Sequence, residues 1–283
     1  MPHLVAIDYR SDDAPERFCQ SLRETGFGVL SNHPLDRSLI ARIYDHWLVF
    51  FTEGIAGECP DDFVMQIETQ DGFFSREIAE SAKGESEQDI KEYFHFYPWG
   101  RCQGSLRDEL QSYFDLASAL ASELLDWIER YTPEDISSGY TEPLSSMIVD
   151  SRETLLRVLH YPPLTGGEPK DAVWAAAHED INLITVLPSS NVSGLQVQAV
   201  DGSWLDVPDG DDKLVVNIGD MLQEASGGYY PSTTHRVVNP TSESNESRMS
   251  LPLFLHPRPD VRLSDRYTAE SYLEERLREL GVK

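Results

Sequence analysis

Residues 174–254, WAAAHEDINLITVLPSSNVSGLQVQAVDGSWLDVPDGDDKLVVNIGDMLQEASGGYYPSTTHRVVNPTSESNESRMSLPLF, decide how the rest of the chain is read. Three side chains in this stretch, His178, Asp180 and His235, have the composition of a two-histidine, one-carboxylate metal site. Residues i and i+2 of an extended segment point the same way, so His178 and Asp180 can reach one ion together. His235 opens a later β-type run, THRVV, from which it can close the triangle on a neighbouring strand. Such a triad covers one face of an ion and leaves the other open. That arrangement suits oxygen chemistry on non-haem Fe(II) rather than structural metal binding.

Each piece is weak evidence alone. The chain has eight histidines, and acids fill about a sixth of its positions, so roughly one His-x-acid pair arises by chance. A histidine before an apolar strand is ordinarily a hydrogen-bonded core residue. Order and context add weight. Tyr161-Pro162-Pro163 precedes His178, and Arg248-x-Ser250 follows His235. Between the histidines run Gly194-Leu195-Gln196-Val197, then Gly202-x-Trp204, then Val216-Asn217-Ile218-Gly219-Asp220-Met221-Leu222-Gln223.

With these motifs in this order, residues 153 to 257 resemble the isopenicillin N synthase-like, plant-type branch of the 2-oxoglutarate- and Fe(II)-dependent dioxygenases. Gly26-Phe27-Gly28 with Asn32-His33, and Lys91-Glu92, add a weaker amino-terminal match. The resemblance implies Fe(II) on His178, Asp180 and His235, with 2-oxoglutarate as co-substrate and O2 as oxidant. It makes Arg248 and Ser250 the grip on the distal carboxylate of 2-oxoglutarate, with a hydroxyl contact from Tyr161. The implied reaction hydroxylates, desaturates or cyclises a small molecule and releases succinate and CO2. By the same resemblance, the region around residues 52 to 104 packs over the mouth of the site. Phe73, Phe74 and Arg76 are then candidate pocket residues, and the alternative is that they are loop aromatics in small surface clusters. Arg157 and Leu159 share the inward face of the strand that carries Tyr161, and Phe254 is either a pocket wall or a plain core residue. Leu159 stands where many relatives carry Asn. The spacing from His235 to Arg248 is also long, as if 241–247 were a surface loop insertion.

Residue chemistry alone leaves alternatives open. A buried Arg248 needs an anionic partner, which is either a bound carboxylate or one of the chain's many acids. Zinc could bind the same ligands, but zinc hydrolases ordinarily use three histidines or His-Glu-x-x-His, and neither pattern is present. An oxidase using iron and O2 without 2-oxoglutarate, and a catalytically silent ligand-binding β-helix, are the remaining readings.

The fold expected is mainly β with flanking helices: a double-stranded β-helix, or jelly roll, with a helical amino-terminal half. Short β-rich runs separated by turn signals read as strands at Thr154–Tyr161, Ala172–Ala177, Leu183–Leu187, Leu195–Ala199, Trp204–Val207, Lys213–Ile218, Thr233–Val238 and Ser247–Leu255. Before them, residues 1–150 read as a helical region packed on the 151–283 core, the two forming one structural unit. It has a strand at 4–8, a helix opened by a capping box at Asp13-x-x-Glu16 and stopped at Gly26, and a strand at Phe27–Ser31. Helices from about Pro34 to Phe50 and over Leu106–Tyr131 follow. Residues 52–104 read as irregular, with Glu85-Ser86-Glu87-Gln88-Asp89 a solvated loop. A last helix shows Leu273, Leu277 and Leu280 on one face.

The formal net charge of -26 argues against nucleic acid and anionic membranes as partners, since both would repel it. A small-molecule partner is expected, and a saline source is one reading of the charge. Cys19, Cys59 and Cys102 are widely spaced and outside any metal or redox motif, which favours a reducing, cytoplasmic location. The oligomeric state is not legible.

Overall fold

The computed structural model describes residues 4–53, 69–76, 89–102, 104–169, 172–240 and 245–279. Two sheets face each other. The larger runs β1 (Ala6–Asp8), β2 (Phe27–Ser31), β10 (Lys213–Ile218), β7 (Ile184–Pro188), β13 (Leu253–Leu255), β5 (Leu155–Tyr161), β4 (Glu92–Phe96), β3 (Gly72–Phe74), with β12 (Arg248–Ser250) also pairing with β5. The smaller runs β6 (Ala175–His178), β11 (His235–Val237), β8 (Leu195–Gln198), β9 (Trp204–Asp206). Both sheets are antiparallel except where β1 lies beside β2. This is the expected jelly roll with flanking helices.

The helices α1 (Ala14–Thr25), α2 (Arg37–Thr52) and α3 (Gly104–Arg130) cover the outer face of the larger sheet. Two single-turn helices, α4 (Glu134–Ser137) and α5 (Leu144–Met147), lead from α3 into β5. Trp47, Phe50 and Phe94 meet under the helices within 4.8 to 6.3 Å of one another. Each such buried aromatic contributes about 1.5–3 kcal/mol. Alternation in the strands makes this possible: Leu156 and Val158, Ile184 and Val186, Leu214 and Val216 all point to the helices.

Several expectations need correcting. The irregular stretch contains two strands, β3 and β4. Tyr93-Phe94-His95-Phe96 alternates perfectly, but both faces are buried, so the polar beat that marks a half-exposed strand is missing. The helical amino-terminal half thus also supplies β1 to β4 of the larger sheet. Asp13 makes no capping hydrogen bond and instead lies 3.8 Å from Arg17, while a proline in the first turn fixes the start of α1. Asp89 is buried rather than solvated, and residues 85–88 lie outside the described residues. So do Cys59, Leu280 and residues 241–244 of the expected loop insertion. The last helix, α7 (Ala269–Glu279), buries Ala269 and Tyr272, with Leu273 packed at the edge of that face. Cys19 and Cys102 are free and buried. Among the described residues, no helix is long and apolar enough to cross a membrane.

Candidate active site

His178 and His235 are direct partners across the β6–β11 pair, and Asp180 follows β6 by two residues. The ring centroids of the two histidines are 4.3 Å apart. Asp180 Oδ1 lies 4.0 Å from His178 Nε2 and 3.8 Å from His235 Nε2, and one donor atom from each residue falls within 4.8 Å of the others. Convergence is therefore a property of strand register, which brings residues 57 positions apart into one pair.

The proton positions follow from the partners. His178 Nδ1 is 2.8 Å from the Ala176 carbonyl, and His235 Nδ1 is 3.1 Å from the Thr233 carbonyl. A carbonyl oxygen only accepts, so each Nδ1 donates and each Nε2 is the nitrogen left to face an ion. Both histidines use the same local device, the carbonyl two residues upstream. Asp180 Oδ2 accepts from the Thr185 hydroxyl at 2.6 Å and from Asn217 Nδ2 at 2.8 Å, which leaves Oδ1 turned to the histidines. Such outer contacts orient ligands and are a regular part of a metal centre.

Electrostatics point the same way. Desolvation, with the charge of His235 second, holds His178 below its ordinary value and so in the neutral form that binds metal, against the pull of Asp180. Burial by itself would raise Asp180, but His235, His178 and the two hydrogen bonds overcome it and keep the carboxyl ionised. His178 is the exposed member of the triad, with 39% of its side chain reaching solvent, against 9% for His235 and 7% for Asp180.

The segment from Asn217 to Asp220 has a local explanation. Asn217 holds the Asp180 carboxylate, and the backbone N–H of Asp220 donates to the Asp180 carbonyl at 2.7 Å. That N–H is one of the unpaired donors at the start of α6 (Asp220–Ala225). Gly219 permits the approach, because a Cβ there would stand 2.1 Å from the Asn182 carbonyl oxygen.

Arg248, Tyr161 and Ser250 come from β12 and β5, where Arg248 is paired with Tyr161 and Ser250 with Leu159. All three are buried. The Arg248 guanidinium lies 5.2 Å from the centre of the Tyr161 ring, and its Nε donates to the Val192 carbonyl at 3.0 Å. Its Nη1 is buried with no hydrogen-bond partner, and no acid among the described residues forms an ion pair with it. A structural salt bridge for Arg248 is thus absent from the described residues. Burial lowers the Arg248 pKa, with Tyr161 and Tyr44 opposing.

The pocket candidates divide. Phe74, Arg157 and Phe254 come together on the inner face: Arg157 lies 5.3 Å from the Phe254 ring and 4.5 Å from that of Tyr93, on which Phe74 stacks at 4.8 Å. Phe73 does not join them. It is paired with Phe94 and packs on Phe50 and Phe51 in the helical core, because adjacent residues of β3 point to opposite faces. Arg76 is exposed, just beyond the end of β3. Sequence reasoning missed Thr185 and Asn217. Their signal was a polar residue at an inward position within an apolar run. It also missed Asp89, which accepts from the Ala176 N–H at 3.0 Å and from Lys91 Nζ at 2.6 Å, tying β6 to the entry of β4.

Known proteins share this fold. Residues 152–257 match the 2OG-Fe(II) oxygenase superfamily model. Gibberellin 2-beta-dioxygenase 4 of Arabidopsis thaliana is 31% identical over 255 residues, a match that covers 84% of this chain and 73% of that relative. The chain belongs to the 2OG-Fe(II) oxygenase superfamily. Within it, the oxygenase falls in the plant-type dioxygenase branch, and as an oxidoreductase of that family it uses Fe(II), 2-oxoglutarate and O2. The crystal structure of a candidate oxygenase from Shewanella oneidensis is 57% identical, with a TM-score of 0.89 and full coverage of both chains. A full-length Neurospora crassa protein, crystallised in complex with alpha-KG, is 21% identical with a TM-score of 0.77 and shares the fold. That match covers 97% of this chain and 96% of the Neurospora chain.

Proposed function

We propose that this oxygenase hydroxylates, desaturates or cyclises a small-molecule substrate in the cytoplasm, releasing succinate and CO2. In this reading His178, Asp180 and His235 hold Fe(II), and Arg248, Ser250 and Tyr161 hold the distal carboxylate of 2-oxoglutarate. Two imidazoles, each held through Nδ1 by a backbone carbonyl, and one ionised carboxylate fit a divalent ion of this class and leave positions open on its far side. With iron and 2-oxoglutarate bound, the site supplies oxidative decarboxylation of the co-substrate coupled to oxidation of a C–H bond.

The observation that carries the proposal is the buried, unpartnered Nη1 of Arg248. A buried cation without an acid costs several kcal/mol, roughly, unless an anion completes it. A dicarboxylate reaching from the iron would do so, with the guanidinium fork matching a carboxylate edge to edge. The remaining residues position and exclude: Thr185 and Asn217 keep Oδ1 of Asp180 aimed at the ion, while Trp174, Tyr93 and Leu159 line an apolar interior that limits water. Phe74, Arg157 and Phe254 are the residues that would face the substrate.

The test is succinate formation from 2-oxoglutarate with Fe(II), ascorbate and O2, together with 2-oxoglutarate binding under anaerobic conditions. Both should be present, and Arg248→Gln should weaken 2-oxoglutarate binding at least about tenfold. Iron binding without any 2-oxoglutarate binding would instead favour an oxidase on the same triad.

A further inference from the structure

We propose that the buried Asp89–Lys91 pair positions the most exposed member of the metal triad: Asp89 holds the backbone of Ala176 and, through it, the ring of His178. This deepens the oxygenase reading above and rests on its assignment of His178 as a ligand.

His178 needs outside support more than its partners do. It ends β6, the last strand of the smaller sheet, so only β11 pairs with it there. The ladder is also irregular just before it. Between the pairs His178–His235 and Ala175–Val237, β11 advances two residues and β6 three, so β6 carries one extra residue at Ala176–Ala177. Such a bulge turns a side chain to a new direction and takes the local backbone out of the ladder.

Asp89 supplies the missing partner. Its Oδ1 accepts from the Ala176 N–H at 3.0 Å, and the Ala176 carbonyl accepts from His178 Nδ1 at 2.8 Å. Ala176 is thus held at its N–H by a carboxylate while it holds the imidazole through its C=O. Beside this contact the Ile90 N–H donates to the Val173 carbonyl at 2.9 Å, so residues 89 and 90 close the open edge of β6. An ionised acceptor makes the stronger kind of hydrogen bond, which suits a clamp on a strand held from one side only.

Lys91 makes the clamp workable. A carboxylate with 4% of its side chain in solvent needs a cation, and Lys91 Nζ lies 2.6 Å from Asp89 Oδ2. That contact engages Oδ2 and leaves Oδ1 to Ala176. The cation also reaches the site: after desolvation and His235, Lys91 adds to the forces that disfavour positive charge on His178. Unpaired, it would repel a divalent ion there, and Asp89 offsets it. The pair leads directly into β4, so the amino-terminal half takes part in setting a ligand of the jelly roll.

The experiment is Co(II) titration of the metal-free protein, with chelator competition for affinity and the visible ligand-field bands for ligand geometry, beside thermal melts. Asp89→Leu/Lys91→Met and Asp89→Asn/Lys91→Met both remove the two charges, but only asparagine keeps an acceptor for the Ala176 N–H. The leucine pair should bind Co(II) about tenfold more weakly, with shifted bands. The asparagine pair should stay within about threefold of wild type, with its bands unchanged. Asp89→Ala/Lys91→Met makes the same comparison if the leucine pair does not fold. Leu156→Ala, destabilised on the far face of the sheet, should keep wild-type bands and affinity, which separates positioning from stability. Wild-type affinity and bands without the acceptor, whatever the melting temperature, would overturn the proposal, as would equal losses in both double variants. If wild type bound no Co(II), or bound it as tightly after His178→Ala, the ligand assignment itself would fail instead.

Discussion

On the outer face of the larger sheet, Leu156, Val158, Ile184, Val186, Leu214 and Val216 form an apolar layer against α1 to α3. On the inner face, the residues that alternate with them include Arg157, Thr185 and Asn217. The same three strands therefore carry stability on one side and chemistry on the other, and a one-residue slip would exchange them. The contrast shows why the site can be polar without loosening the fold. Asn217 and Thr185 are held by Asp180, while the outward groups need only volume.

Substitutions on the two faces should separate cleanly. Asp180→Ala removes an ion ligand and should lower iron content and succinate formation by more than about 100-fold, beyond what the loss of a supporting contact costs. Iron analysis and turnover on the purified protein check this, with the melting temperature as the control. On the opposite face, Leu156→Ala should cost about 2–5 kcal/mol of stability through the cavity it leaves. In that variant, measured by denaturant unfolding, the iron affinity of the folded fraction should be unchanged. If Leu156→Ala abolished iron binding at constant stability, the separation of faces would be wrong.

A finer test lies behind the ligands. Asn217→Ala frees one oxygen of Asp180 and should weaken Fe(II) affinity by about 10–100-fold, and Thr185→Val should act in the same direction. Competition titration with a chelator measures both.

Acid gives a third comparison. Burial pushes His33 and His256 down to about 4 from an ordinary value of 6.5, with Arg37 adding to the effect at His33 and Arg157 at His256. Between those values the unfolded chain binds more protons than the folded one, so stability is full above about 6.5 and declines as pH falls toward 4. Thermal melts from pH 7.5 to 4 should follow that slope, and His33→Gln should flatten it. The smallest effect concerns salt. With a net charge of -26, the protein repels incoming 2-oxoglutarate at long range, so moderate salt should raise its association rate a few-fold, roughly. Stopped-flow binding at low and at physiological ionic strength reads it.

Much of this architecture was legible beforehand. The strands from Thr154 to Leu255 announced themselves by alternating runs between glycine and proline turns, and helix α3 by its apolar stripe. The stretch before Gly104 was harder. β3 and β4 are buried on both faces, so their composition carries no polar beat, and Phe73 could not be told from Phe74. Their directions became known only once β3 was paired with β4.

What the amino-acid order determined by itself was the inventory: two histidines and an aspartate at fixed offsets, an Arg-x-Ser pair, and the motifs that bind them into one family. Tertiary structure decided where each group points and what it touches. The register of β6 against β11 sets one imidazole beside the other, and the packing around Arg248 leaves its Nη1 without a hydrogen-bond partner among the described residues. The contacts from Lys91 through Asp89 to Ala176 join two segments distant in the chain and have no local signature. The physical reason is that ligand type is a property of single side chains, whereas partnership and burial arise between residues distant in the chain.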